Sequence, residues 1–155
     1  MYSNNIICEV LIYIENNLEQ DLNIDLLSNK FYINRFYLMK LFKKEIHLTI
    51  INYINHLKIY NSLNDLKNYN NSILKVALKN GFSSQEYYCE IFKKVMNITP
   101  LEYKKYCQNI NLISEAYLSK IIDRINYLKD IINYKNTYLQ NRIPEKSITT
   151  FPSIF

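Results

Sequence analysis

The chain has 155 residues, a formal net charge of +5 at pH 7 and one glycine, Gly81. A single glycine excludes the phosphate-binding loops of P-loop and dinucleotide-dependent enzymes, which need several backbone positions without a Cβ atom. The length is that of one domain, and 48% hydrophobic against 21% charged residues predict a packed core rather than a disordered chain.

Apolar residues recur at helical spacing along nearly the whole sequence, and no segment alternates convincingly enough to predict a strand. We therefore expect an all-α protein. Up to residue 106 the spacing predicts helices over residues 5–17, 24–30, 35–46, 50–66, 73–79 and 84–96, and a further helix that begins at Pro100. After residue 106 it predicts one long extension helix over residues 109–140.

Residues that suit helix ends support several of these boundaries. Thr99 is a good N-cap before Pro100, which suits the first helical position. Ser83 is the expected N-cap of the helix that follows it, and Glu86, three residues later, would complete a capping box. Gly81 is expected in a turn that needs a left-handed backbone conformation.

An internal repeat runs through the middle of the chain. The segment 42–49 recurs as 92–99 at an offset of 50, and the offset is 49 nearer the start of each copy. The matched pairs include Tyr37 with Tyr87, Tyr53 with Tyr103, Ile24 with Ile73, Ile33 with Phe82, and Asn34 with Ser83. The change of offset places one inserted residue between Ser83 and Tyr87. We infer two copies of a helix–turn–helix unit, over about 24–46 and 73–96, joined by a long helix.

Basic residues are concentrated in the first copy. Between Lys30 and Lys58, six basic residues stand against one acidic residue, Glu45, which gives this stretch a charge of +5. A short helix that braces a longer one at a turn is the geometry that places a recognition helix in the major groove of DNA. Charge and repeat together favour binding of double-stranded DNA at two successive major-groove segments. A duplicated helical bundle with a solvated basic surface is the alternative.

Short motifs in both copies resemble the AraC/XylS family of transcription regulators, in order and in spacing. They fall within residues 6–105 and include Tyr37-Leu38, Leu41-Phe42-Lys43-Lys44, Gly81-Phe82-Ser83, Phe92-Lys93-Lys94 and Thr99-Pro100. The resemblance implies a homeodomain-like domain of seven helices in two helix–turn–helix subdomains, which regulates transcription at promoters and contacts RNA polymerase. It also implies no catalytic activity and no cofactor. Because few residues precede the match, we expect either a stand-alone regulator without the effector domain that most members carry there, or the product of a truncated or rearranged gene.

The resemblance, carried over residue by residue, assigns the DNA-binding residues of both recognition helices. In the first copy the residues that face the groove are Arg35, Phe36, Met39 and Lys40, and Lys43 lies near phosphate. In the second copy the residues that face the groove are Ser84, Gln85, Glu86, Cys89 and Glu90, and Lys93 lies near the DNA backbone. Helical periodicity agrees with this assignment for the first copy, because it places Leu38, Leu41 and Phe42 on the opposite face of the helix.

Glu90 departs from the family pattern, because the family commonly has arginine at this position and the first copy has Lys40. A carboxylate there repels phosphate and can only accept a hydrogen bond, for instance from cytosine N4. Glu86 has a second interpretation as the capping-box acid. We hypothesise that the first copy dominates affinity while the second reads little or reads differently. The alternative function is a helical protein-interaction module, or a degenerate regulator without productive DNA binding.

The turns of the two copies also differ. The position equivalent to Gly81 is Tyr32 in the first copy, and where the family often has glycine after the recognition helix, this chain has His47 and Asn97. Asparagine tolerates a positive φ better than histidine or tyrosine. We therefore expect more strained turns in the first copy.

We divide the chain into a DNA-binding domain (residues 1–106), an extension helix (107–141) and a flexible tail (142–155). The extension carries an apolar series with 3-4-3-4 spacing, formed by Leu118, Ile121, Ile125, Leu128 and Ile132. This spacing predicts either a weak homodimer through residues 110–135 or packing of the helix onto the domain. A further alternative is that the helix led into an effector domain that has been lost.

The remaining chemistry is sparse. An odd number of cysteines and the lack of metal-ligand spacing predict neither a disulfide framework nor a metal site. The sequence shows no signal peptide and no apolar run long enough to span a bilayer, so we expect a cytoplasmic protein without membrane contact.

Overall fold

The computed structural model describes residues 2–109 and 114–142, and within them the chain forms eight helices and no strand. The all-α prediction is confirmed. The helices are α1 (Tyr2–Asn16), α2 (Ile24–Lys30), α3 (Arg35–Ile46), α4 (Ile50–Lys67), α5 (Ile73–Lys79), α6 (Gln85–Met96), α7 (Pro100–Gln108) and α8 (Glu115–Arg142). The predicted flexible tail lies outside the described residues, apart from Arg142 at the end of α8. None of the helices so described is long and apolar enough to cross a membrane.

Two hydrophobic cores lie on the two halves of α4. The amino-terminal half of α4 contributes Tyr53 and Leu57 to a core shared with α1, α2 and α3. Its carboxyl-terminal half contributes Leu63 and Leu66 to a core shared with α5, α6 and α7. The helix α4 therefore joins two helix–turn–helix units, as the repeat predicts, and each unit has its own core.

The structure locates the residue inserted into the second copy. The turn residues with positive φ, Tyr32 and Gly81, are 49 positions apart, whereas the N-caps of the recognition helices, Asn34 and Ser84, are 50 positions apart. The extra residue is therefore Ser83, ahead of α6, and the predicted position after Ser83 is wrong.

The N-cap of α6 is Ser84 rather than the predicted Ser83. The Ser84 hydroxyl accepts a hydrogen bond from the amide three residues later at 3.1 Å. The predicted capping box is wrong because Glu86 stands only two positions after this cap. The box lies at α7, where the Thr99 hydroxyl accepts from the Glu102 amide at 3.2 Å and the Glu102 carboxylate accepts from the Thr99 amide at 2.7 Å.

Three residues other than glycine adopt a positive φ in the part of the chain that the structure describes. They are Tyr32 (51°), His47 (64°) and Asn97 (61°), and the last two are the C-caps of α3 and α6. A side chain in this conformation costs about 1–2 kcal/mol unless it is glycine or a short polar residue. The first unit carries two bulky residues there, and the second carries Asn97 and Gly81, in line with the expected difference in strain.

The extension helix starts later than predicted. The helix α7 ends at Gln108, where the Asn109 amide donates to the Lys105 carbonyl at 3.1 Å, and α8 begins only at Glu115. The predicted start of the extension helix at residue 109 is therefore wrong, because Asn109 follows the end of α7 and lies outside α8.

The apolar series on α8 packs onto both units. Ile121 and Leu128 are buried in the second core and Ile125 packs at its edge, while Ile132 packs against the first core. The burial of Ile121 and Leu128 within the chain supports the packing alternative and leaves these two side chains unavailable for a dimer seam. Leu118 is half-buried.

Candidate nucleic-acid interface

The helix α3 carries the first set of predicted DNA-binding residues. Its start is set by Asn34, whose side-chain oxygen accepts hydrogen bonds from the amides of Phe36 and Tyr37 at 2.9 and 3.2 Å. Its inward face consists of Leu38, Leu41, Phe42 and Ile46. Because these buried positions recur at helical spacing, the opposite face of α3 is turned to solvent.

Every residue predicted for the first copy is exposed on this outward face, namely Arg35, Phe36, Met39, Lys40 and Lys43. Phe36 is 71% exposed and Met39 is 45% exposed. Phe36 gains little from folding, because folding leaves most of its surface in water, and Met39 keeps nearly half of its surface exposed. Beside cations, they suit a DNA groove, where thymine methyl groups and base edges offer apolar contact.

Arg35 is held by contacts inside the first unit. Its guanidinium pairs with the Asp25 carboxylate of α2 at 3.0 Å and lies 5.5 Å from the centroid of the Phe36 ring. Both charged side chains are well exposed, so the pair is worth only about 0–1 kcal/mol and Arg35 can turn towards DNA at little cost. Sequence reasoning missed Asp25, because no local pattern links residues ten positions apart across a turn.

The helix α6 carries the second set, and only part of it is exposed. Ser84 is half-buried, and its hydroxyl is engaged in capping α6. Cys89 is half-buried and packs against the second core, where burial first, and then the Glu86 carboxylate, raise the pKa of its thiol. The exposed members of the set are Gln85, Glu86, Glu90 and Lys93. The second recognition helix thus presents fewer predicted contact groups than the first.

The outward faces of α3 and α6 differ in charge at equivalent positions. The equivalent pairs are Arg35 with Gln85, Phe36 with Glu86, Lys40 with Glu90, and Lys43 with Lys93. On α3 these positions carry three cations and no acid, and on α6 they carry two acids and one cation. The face of α3 therefore attracts the phosphate backbone, and the face of α6 repels it.

Two tyrosines beside these faces were not predicted as site residues. Tyr37 is 52% exposed and Tyr87 is 40% exposed, at equivalent positions of α3 and α6. The Tyr87 hydroxyl accepts a hydrogen bond from the side-chain amide of Asn55 on α4 at 3.4 Å. The repeat pairs the two tyrosines, and this pairing is the signal that could have added them to the site.

The two units touch at the turn of the second one. A Cβ atom on Gly81 would lie 2.5 Å from the Leu18 carbonyl oxygen, in the loop between α1 and α2. Lys58 of α4 is buried, and its ammonium donates to the carbonyls of Gly81 at 2.6 Å and of Gln20 at 3.3 Å. Lys58 is therefore not part of a basic surface, although it belongs to the basic stretch of the sequence.

The acidic residues of α6 do not form a metal site. Glu86 and Glu90 are four residues apart and could each offer a carboxylate oxygen to a cation. Within residues 2–109 and 114–142, however, no three side chains of His, Cys, Asp or Glu come together as a metal ion requires.

Comparison with known proteins identifies the family. A family model described as a helix-turn-helix domain matches residues 27–106, about half of the chain, including both recognition helices. The TetD protein of transposon Tn10 from Escherichia coli is 33% identical over 104 residues, which cover 67% of this chain and 75% of that protein. The chain belongs to the AraC/XylS family. The regulatory protein SoxS of Escherichia coli is a further relative, 26% identical over 67% of this chain and 97% of its own length.

Solved structures of AraC-type proteins share the fold. An AraC-type transcriptional regulator from Chromobacterium violaceum matches with a TM-score of 0.59 and 26% identity, over 68% of this chain and 94% of that chain. The C-terminal domain of the response regulator AraT from Geobacillus stearothermophilus, with a TM-score of 0.62 and 23% identity, covers 64% of this chain and 84% of its own length, and supports the fold alone. This AraC/XylS-family protein is a DNA-binding transcription regulator, and its family consists of regulators rather than enzymes.

Proposed function

We propose that this AraC/XylS-family regulator binds a promoter by inserting α3 and α6 into two successive segments of the major groove, and that α3 supplies most of the affinity. The observation that carries the proposal is the outward face of α3, where exposed apolar groups, Phe36 and Met39, lie among three cations. Such a face combines the charges that phosphate attracts with the groups that contact bases.

On α3, each exposed residue type fits a definite partner in the groove. Lys40 donates to guanine O6 or N7, and Phe36 packs on a thymine methyl group. Lys43, one helical turn further on, neutralises a phosphate. Arg35 becomes available once it leaves Asp25, because their pair is solvent-exposed.

On α6, the proposed contacts are fewer and different in kind. Gln85 can form hydrogen bonds with both N6 and N7 of one adenine, and Lys93 can pair with a phosphate. Glu86 and Glu90 are exposed carboxylates that can only accept hydrogen bonds, for example from cytosine N4. Repulsion between these carboxylates and phosphate lowers the share of α6 in the total affinity.

The decisive experiment compares Lys40→Ala with Glu90→Arg on a duplex that the wild-type protein has selected from a random library. Lys40→Ala should weaken binding by about 1–3 kcal/mol and relax base preference at one position. Glu90→Arg should strengthen binding to unrelated duplex DNA and steepen the log–log salt dependence by about 0.9 for each new phosphate contact. Intact affinity in Lys40→Ala would contradict the leading role of α3.

Lys129→Ala serves as the matched control, because Lys129 is an exposed lysine on α8 and not on a recognition helix. It removes the same charge and should change the affinity for the selected duplex by less than about twofold, since distant charges are screened by salt.

The acidic face of α6 supports one alternative, a helical protein-interaction module or degenerate regulator without productive DNA binding. Retention on a column of non-specific duplex DNA separates the two functions. A DNA-binding regulator with several phosphate contacts elutes late and in a salt-dependent manner. Elution at very low salt would favour the interaction module.

Two protein partners extend the proposal. RNA polymerase is the partner that the family resemblance implies at a promoter. A weak homodimer through residues 110–135 would have to use the side chains that α8 still exposes, among them Ile122, Tyr127 and Tyr134. Sedimentation over a range of protein concentrations tests the dimer, because self-association increases with concentration.

A further inference from the structure

The helix α8, which follows the residues that the family model matches, contacts both helix–turn–helix units. Its 28 residues give it a length of about 42 Å, enough to pass across two small units. In its first half, Ile121 and Leu128 are buried in the second core. Near its end, Tyr138 is buried in the first core.

Two polar side chains of α8 reach the carboxyl-terminal ends of the recognition helices. The Arg124 guanidinium donates from Nε to the Val95 carbonyl of α6 at 2.6 Å. The Tyr134 hydroxyl donates to the Glu45 carbonyl of α3 at 2.9 Å. Carbonyls in the last turn of a helix have no partner within it, so they accept hydrogen bonds from outside.

These two carbonyls occupy the same position in the internal repeat. Glu45 and Val95 are 50 residues apart, and each is the residue before the last one of its recognition helix. The extension helix therefore bonds both recognition helices at equivalent points, although its own sequence is not part of the repeat.

Further contacts hold α8 against the first unit. The Glu45 carboxylate accepts from Arg142 at 3.2 Å and from the Tyr138 hydroxyl at 3.3 Å. Lys135 of α8 is buried and forms an ion pair with Glu15 of α1. The helix is thus attached at each end to a different unit and cannot follow a movement of one unit relative to the other without losing contacts.

We propose that α8 holds α3 and α6 at one separation and angle, and thereby decides which spacing between two DNA half-sites the protein accepts. The inference rests on the proposed insertion of both recognition helices into DNA. One additional base pair between the half-sites shifts the second site by about 3.4 Å and rotates it by about 35°. A rigid pair of helices fits only one of these two spacings, whereas a loosened pair fits the original spacing and the one with the additional base pair.

The test measures how strongly binding depends on spacing in the full chain. The probes are the duplex selected by the wild-type protein and the same duplex with one base pair inserted between the half-sites. The wild type should lose about tenfold or more in affinity on the insertion, which is the cost of about one well-made base contact. The double variant Arg124→Gln/Tyr134→Phe should lose about threefold or less, because α6 can then follow its half-site.

The matched control is Lys120→Gln/Tyr127→Phe, which makes the same kinds of change at exposed residues of α8. Phenylalanine keeps the ring that packs against Arg124 and against His56 of α4. It should keep the wild-type ratio between the two affinities. Partial unfolding would lower both affinities equally and leave this ratio unchanged, so the ratio separates positioning from stability.

Each result is decisive. If the double variant shows the same ratio between the two affinities as the wild type, the inference is overturned and the proposed function stands. A wild-type ratio close to one shows that α6 adds no positioned contact, which overturns the proposed two-helix insertion and the inference together.

Discussion

The ammonium of Lys58 donates a hydrogen bond to the Gly81 carbonyl at 2.6 Å and joins the middle of α4 to the turn of the second unit. The same ammonium donates to the Gln20 carbonyl in the loop after α1. Burial lowers the pKa of Lys58, and the Asp21 carboxylate partly opposes this effect. The two units are therefore connected at this point by a buried cation as well as by α4.

Replacing this cation by an apolar chain of similar length should destabilise the protein. Lys58→Met removes the donor shared by two carbonyls, and an unsatisfied buried polar group costs about 1–3 kcal/mol. Urea denaturation should show this loss in the free energy of unfolding. Lys67→Met, at the exposed end of the same helix, should stay within about 0.5 kcal/mol of the wild type. Equal stability of the two variants would show that the Lys58 contacts contribute nothing.

Removing the glycine from the turn of the second unit should lower stability, and introducing a glycine into the turn of the first unit should raise it. Gly81→Ala places a Cβ atom 2.5 Å from the Leu18 carbonyl oxygen at a φ of 75°, and it should cost more than about 1 kcal/mol of the free energy of unfolding. Tyr32→Gly relieves a positive φ at a side chain that is 97% exposed, and it should stabilise by about 0.5–1 kcal/mol. Thermal denaturation measures both. A stable Gly81→Ala would mean that the loop after α1 yields easily.

Asp25 should restrain DNA binding by the first recognition helix. Asp25→Asn removes the partner of Arg35 and one negative charge near the outward face of α3, so affinity for duplex DNA should rise by about two- to fivefold at low salt. Titration of a labelled duplex measures the change. Asp130→Asn on α8 changes the net charge equally and should have a smaller effect. If both variants gain the same affinity, the effect is one of net charge and not of a released Arg35.

Asp65 should make stability depend on acid pH. Burial raises the pKa of this carboxyl, but hydrogen bonds from Lys79 and Asn80 outweigh it and leave the pKa below the ordinary value of 3.8. A pKa that is lower in the folded state adds stability that is complete above pH 3.8 and is lost as the pH falls through the folded-state pKa.

Denaturation of the wild type and of Asp65→Asn over a pH series tests this dependence. The difference between their free energies of unfolding should be constant from neutral pH to about pH 5 and shrink towards pH 2. The exposed residue Asp123 supplies the control, Asp123→Asn, whose difference from the wild type should stay small throughout. A difference for Asp65→Asn that persists unchanged at pH 2 would contradict the lowered pKa.

Local signals were sufficient for most of the helices and for the exposed face of α3. Apolar spacing placed α2, α3 and α5 with the bounds that the structure shows, because the inward face of an amphipathic helix can be read from neighbouring residues. They failed where two local choices were similar. Ser83 and Ser84 are both good caps, and residue type alone does not distinguish Ser84, which caps α6 in the fold.

The sequence by itself determined two duplicated helical units, the family to which they belong, and the contrast between a basic α3 and an α6 in which two acids balance two lysines. These properties depend on residue type and short-range spacing, which are visible without a fold. Only the tertiary structure decided that Lys58 is buried between the units, that Asp25 pairs with Arg35, and that α8 bonds the ends of both recognition helices. The physical reason is that these contacts join residues 10 to 89 positions apart, and no local periodicity encodes them.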